Sequence, residues 1–204
     1  MDVLDKYKKA WENQPEDTKK VSKEDIYKIT HKKSSSIVKW IFIIGILEFV
    51  LLNSSYFFLD MKKSYELYKS LGLYQFAFYS QFVVYAIIFY FLYTFYKNYK
   101  NISIVEDTKS LMNKILKTRK TVRNYVFFNI GYLVLIYILV VIASIMKMNG
   151  EVTNSKLAGI VIGLLIVAVV MVIIFWLFYQ LLYGILLRKL NKNYKELAKL
   201  DELN

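Results

Sequence analysis

Four long apolar runs constrain this chain more than anything else in it. They are Ile37–Leu59, Leu73–Tyr96, Tyr125–Met146 and Leu157–Leu187. A hydrocarbon core of about 30 Å takes about 20 helical residues to cross, and each run meets that length. Lipid offers no partner to an open backbone, so a spanning run must be a helix that satisfies its own hydrogen bonds. The expected fold is an all-α membrane protein with four transmembrane helices. Cytoplasmic amphipathic helices are expected at the N-terminus and between spans two and three.

Charge sets the expected orientation. Lys and Arg number 10 through Lys39, 8 between spans two and three, and 5 in the tail. The other two connections carry 3 and 2. Positive residues stay on the inner side of a membrane, so both termini and the middle connection are expected in the cytoplasm. The implied location is a membrane with the cytoplasm on its basic side. The formal charge of +12 then reads as a topology signal with attraction to anionic membrane lipid, and direct nucleic-acid binding is not expected. The first run begins too late for an ordinary signal peptide and is expected to remain as an anchor.

The implied organisation is a cytoplasmic helical segment over 1–36, a four-helix transmembrane domain over 37–187, and a cytoplasmic tail over 188–204. Leu4, Tyr7 and Trp11 share one face of a short helix that Pro15 should end. Ser22 and Asp25 form a capping-box variant ahead of Ile26 and Ile29, with Ser34, Ser35 and Ser36 as a soft joint before the membrane. Lys39 and Trp40 suit an interface anchor. A cytoplasmic helix is expected over about 103–123, capped by Ser103 and Glu106. Its narrow seam is Ile104, Leu111, Ile115 and Val122, with Thr108 and Thr118 filling the stripe. Leu190, Tyr194, Leu197 and Leu200 extend a similar seam into the tail.

Chemistry-bearing residues are few. There is no Cys and one His, His31. That excludes thiolate chemistry and argues against catalytic zinc and iron triads, so neither a metal site nor a cofactor is expected. No P-loop, dinucleotide fingerprint or nucleophile elbow occurs. The expected protein is not an enzyme. Glu48 is the one charged residue deep in a span. A carboxylate there is expensive, so it needs partners or a wet cavity. Gln81, Tyr85 and Tyr137 are the depth-matched candidates. It is either a polar tie between helices or the centre of a proton or ligand site. Gly159 and Gly163 form a G-x-x-x-G pattern, which suits close packing inside the bundle or a homo-oligomer face.

The stretch Leu4-Asp5-Lys6, Lys9-Ala10-Trp11 and Gln14, followed by Asp25-Ile26-Tyr27-Lys28 through Lys39-Trp40, resembles the start of a group of small bacterial inner-membrane proteins. These have four spans and are often associated with alternative sigma factors. The resemblance covers the N-terminal third and implies a membrane-bound anti-sigma factor. It also implies a cytoplasmic protein partner, a sigma factor being the candidate; Leu4, Tyr7 and Trp11 either offer that partner a small hydrophobic anchor or lay their helix on the inner leaflet. Some members carry a carotenoid-oxygenase name. That activity resembles a four-histidine iron site, which a chain with one histidine cannot build. The zinc-binding pattern of His and paired Cys found in other anti-sigma proteins is absent too. Three readings follow. The first is a non-enzymatic regulator tethering or sequestering a cytoplasmic partner. The second is a small transporter or lipid-binding or ligand-binding protein centred on Glu48. The third is a structural subunit of a membrane complex.

Overall fold

Ser22 opens the first helix by capping it. Its Oγ accepts the Asp25 backbone N–H at 3.0 Å and donates to the Asp25 carboxylate at 2.7 Å. The helix that follows, α1, runs unbroken over Lys23–Phe58. The computed structural model describes residues 22–58, 60–105, 107–148 and 153–202. Leu4, Tyr7, Trp11, Pro15, Glu106 and the Asn149-Gly150 turn lie outside them. After α1 come a short helix α2 (Lys62–Ser70), then α3 (Tyr74–Ser103), α4 (Thr108–Met148) and α5 (Asn154–Tyr179). A π-helical turn, Gln180–Gly184, joins α5 to α6 (Ile185–Glu202). The described residues contain no strand.

Four of these helical stretches are long and apolar enough to cross a membrane. All four overshoot it. At 1.5 Å per residue the 36 residues of α1 and the 41 of α4 reach about 54 and 62 Å, against about 30 Å of hydrocarbon. The excess lies at one end for every helix: the start of α1, the end of α3, the start of α4 and all of α6. This is the end rich in Lys and Arg.

The core gathers at that basic end. Val38 and Ile41 of α1, Phe95 and Ile102 of α3, Leu111, Ile115 and Val122 of α4, and Leu190 and Leu197 of α6 are fully buried. In the most apolar stretch of α3, of α4 and of α5–α6 no residue is buried. The helices thus bury most of their aliphatic core at one end and pack more openly along their apolar lengths. The physical reason is the solvent: apolar side chains gain by meeting one another in water and gain nothing equivalent in hydrocarbon.

Polar residues register the bundle. The amide of Asn193 donates to Ser34 Oγ at 2.9 Å, tying α6 to α1. Asn98 donates to Thr121 Oγ1 at 3.3 Å, tying α3 to α4. Ser34 is therefore no joint; it is a fully buried step in a continuous helix. Close packing of α1 on α3 is set at Gly45, where an added Cβ would lie 3.0 Å from Leu92 and 3.3 Å from Phe95.

The tail and middle seams match their expected faces at Leu111, Ile115, Thr118, Val122, Leu190, Leu197 and Leu200, all buried. Three details differ. Ile104 is exposed, because the chain turns there. The helix break falls at 104–107, so Ser103 ends α3, donating to the Lys100 carbonyl at 2.7 Å. Asp107 caps α4 instead, accepting the Ser110 N–H at 2.7 Å. That backbone donor holds the Asp107 carboxyl below its usual range. Its contribution is therefore present at neutral pH and is lost as pH falls through the acid range. On α1 the buried face is Thr30, Ser34, Val38 and Ile41, and Ile29 points outward.

At the opposite end, Gly72 adopts a φ of +71°. This left-handed residue closes α2, with Leu73 N–H to the Tyr68 carbonyl at 2.9 Å and Gly72 N–H to Lys69 at 3.1 Å. Only glycine takes that conformation without strain.

The uneven core makes a contrast testable by thermal unfolding in detergent. Leu111→Ala should cost about 2–5 kcal/mol. Ile162→Ala, in the exposed part of α5, should change the midpoint little.

Candidate functional site

Glu48 lies on the inward face of α1, one turn beyond Gly45, and is 5 % exposed. Its Oε1 accepts the Tyr179 hydroxyl at 2.8 Å and its Oε2 accepts the Tyr183 hydroxyl at 2.7 Å. Both donors come from the fourth span, on either side of the entry to the π turn. Tyr179 and Tyr183 thus each serve one carboxyl oxygen, and the pair bridges the first and last spans. The only salt bridge among the described residues is Lys28–Glu24, at the surface. Glu48 is held by hydroxyls, not by a cation.

Aromatic rings close over this tie. Tyr125 of α4 sits edge-on to Tyr179 and Tyr183, with centroids 6.3 and 6.0 Å away. Phe91 and Phe95 of α3 each meet Tyr125 at 5.4 Å. The edge-to-face arrangement suits the ring quadrupoles. These residues shield the carboxyl from solvent.

The expected partners of Glu48 sit elsewhere. Gln81 donates to Tyr85 at 2.8 Å and to Tyr56 at 3.1 Å, and Tyr85 donates to Asn53 Oδ1 at 2.6 Å. This second polar cluster ties α1 to α3 about one to two turns further from the basic end. Tyr137 donates to the Leu164 carbonyl at 2.7 Å, joining α4 to α5. The mismatch comes from helix register. Matching the midpoints of two apolar runs puts Gln81 and Tyr85 opposite Glu48, but the contact at Gly45 places Leu92 and Phe95 near that level.

Gly159 and Gly163 do not pack inside the chain. A Cβ added at either would meet nothing within 4 Å. The glycine that matters in the fourth span is Gly184, where the Gln180 side chain folds into the space a Cβ would fill, 2.6 Å away. The π turn lets the Gln180 amide lie over it. Such turns recur at functional sites.

His31 is a structural cap. Its Nε2 lies 2.7 Å from the Ile102 carbonyl, which can only accept, so that nitrogen carries the proton. Tyr27, stacked on His31, donates to the Val105 carbonyl at 3.0 Å. Two residues one turn apart on α1 thereby satisfy the open carbonyls at the end of α3. Among the described residues no group of His, Asp or Glu has the spacing to hold a metal.

A groove opens behind the Glu48 tie. It has a volume of about 460 Å³ and lies between α4 and the π turn. Tyr179 and Tyr183 form part of its floor, and Arg119, Lys120 and Arg123 stand at its basic end. The sequence reading missed Tyr125, Tyr179 and Tyr183. A signal was there: Trp176, Tyr179, Gln180 and Tyr183 are the hydrogen-bonding side chains that interrupt an otherwise apolar fourth run.

A family model described as a domain of unknown function (DUF8845) matches residues 24–202. The chain belongs to that family. Neither a curated protein nor a solved structure matches it. The matched region covers the whole four-helix arrangement, including Glu48 and its tyrosine donors, and excludes Leu4, Tyr7 and Trp11.

Glu48→Leu should lower thermal stability in detergent by about 2–5 kcal/mol, because two buried tyrosine hydroxyls lose their acceptor. Glu48→Gln keeps an acceptor oxygen, and its amide can donate to a rotated hydroxyl, so most of the stability should remain. Equal loss from both would mean that the charge, not the hydrogen bonding, holds the spans together.

Proposed function

We propose that this protein is a non-enzymatic regulator in a bacterial inner membrane, with both termini inside, that holds an intracellular protein partner at the membrane surface. The observation that supports this reading is the placement of the packed core. A protein that only spanned lipid has no use for about 20–30 Å of extra helix on each of its longest spans. Here that length builds a bundle with fully buried Leu111, Ile115, Leu190 and Leu197 at the basic end. The opposite end carries only α2 and short connections. A partner on the basic side meets a rigid platform of four helix ends.

Leu4, Tyr7 and Trp11 are proposed as the anchor of that partner. They lie outside the described residues and outside the matched family region. A sigma factor is the candidate partner that the N-terminal resemblance suggests. Glu48 fits this reading as a tie, since Tyr179 and Tyr183 donate to its two oxygens and join the first span to the fourth.

Two experiments test the proposal. The chain has no Cys, so single cysteines report topology cleanly. A membrane-impermeant maleimide should label Glu66→Cys in intact cells and Lys195→Cys only after permeabilisation; the reverse pattern removes the intracellular partner. Intact protein isolated from native membranes should retain a sigma factor, and Trp11→Ala should lose at least about half of it if Trp11 is a binding hot spot. Equal recovery from both proteins would take Trp11 out of the interface.

A further inference from the structure

The seam between α4 and the fourth span is open along much of its length, and it has two chemically different halves. The basic half is the groove of about 460 Å³ already described, with Arg119, Lys120 and Arg123 at its mouth and no acidic residue in its lining. Among the described residues none of these three cations forms a salt bridge. The amide of Gln180, folded over Gly184, lines the same groove. The second half is a cleft of about 430 Å³ whose walls are almost wholly apolar, with Val134 and Ile138 on α4 facing Val169 and Ile173 on α5.

The two halves form one track. On α4 the residues that line them follow at steps of three or four: Arg123, Val126, Ile130, Leu133, Tyr137 and Val141. That is a single helical face. On α5 the same spacing links Gln180 through Trp176 and Ile173 to Val169. The cations therefore stand at one end of the helical face whose further part lines the apolar cleft. From Phe127 to Tyr137 the helix runs about 15 Å, half the thickness of a hydrocarbon core.

We propose that this seam is a binding site for one anionic phospholipid of the leaflet on the basic side. Its phosphate sits among Arg119, Lys120 and Arg123, with the Gln180 amide as a further donor. An acyl chain lies along the cleft between α4 and α5. Charge complementarity selects the head group: guanidinium and ammonium groups between helices at this level recognise lipid phosphate. The apolar length selects a lipid over a free phosphate ion, which would leave the cleft unfilled. The Glu48 tie sets the shape of the site, since the tyrosines that it holds form the floor under the head group. The site does not depend on any protein partner.

Native mass spectrometry of the intact protein in detergent tests this, with phosphatidylglycerol and phosphatidylcholine of identical acyl chains as probes. Phosphatidylglycerol should be retained about tenfold better. The triple variant Arg119→Gln, Lys120→Gln, Arg123→Gln should lose that preference. The control Lys192→Gln, Lys195→Gln, Lys199→Gln removes as much charge from exposed positions on α6 and should keep it. A soluble glycerol phosphate should not displace the lipid. A phosphatidylglycerol with a photoreactive acyl chain should label the Leu133–Ile142 segment of α4. Equal retention of the two lipids, equal loss of preference in both triple variants, displacement by glycerol phosphate, or label spread evenly over the spans would each overturn the site.

Discussion

One set of helices meets two solvents, and that contrast decides where this protein is held together. In water, burying a Leu or Ile side chain is worth about 1.5–3 kcal/mol. In hydrocarbon the surroundings are already apolar, and helix contact must come from shape and polar ties. The structure follows that division. Fully buried aliphatic residues crowd the basic end, where Leu111, Ile115, Leu190 and Leu197 interlock. Along the spans the contacts are aromatic pairs, such as Phe49 with Phe89, and hydrogen bonds: Tyr137 to the Leu164 carbonyl, Ser80 with Tyr132 at 3.1 Å, and the Gln81–Tyr85–Asn53 cluster.

Glu48 sits where the two regimes meet. A carboxyl group among aromatic rings would cost several kcal/mol if it had no partner. Two tyrosine hydroxyls, four residues apart, supply one hydrogen bond to each oxygen. The arrangement spends no cation and links the first span to the fourth, which are distant in sequence. It also holds Tyr179 and Tyr183 at the floor of the α4–α5 groove. Structural tie and binding surface share the same side chains, so a change at Glu48 reaches the groove without touching it.

The loose α4–α5 seam and the tight basic bundle divide the labour of the fold. A rigid bundle presents helix ends to the aqueous side. A seam that does not close on itself leaves open space beside α4. Arg119 is partly buried while Lys120 and Arg123 are exposed, and all three extend from α4 just beyond its apolar length. Continuity of α4 through Thr108–Met148 makes one rigid rod of the aqueous bundle and the lipid-facing wall.

Much of this architecture was legible in the residues. Four runs of sufficient length, and the 3.6-residue spacing of Leu111, Ile115, Thr118 and Val122, followed from local sequence alone, because length and periodicity are properties of a single helix. The Ser22 cap was legible for the same reason. The partners of Glu48 were not. They depend on how far one helix slides against another, and that register is set by Gly45 meeting Leu92 and Phe95 and by the Asn193–Ser34 and Asn98–Thr121 ties. Gly159 and Gly163 carried a packing pattern with no neighbour to pack on, while Gly184 carried none and holds Gln180. Sequence by itself determined the four long helical runs and which end is basic, but not the short helix α2 or the break after Ser103. Tertiary structure decided which polar groups meet, because a hydrogen bond across some 130 residues depends on the relative placement of two rigid rods, which neither rod encodes alone.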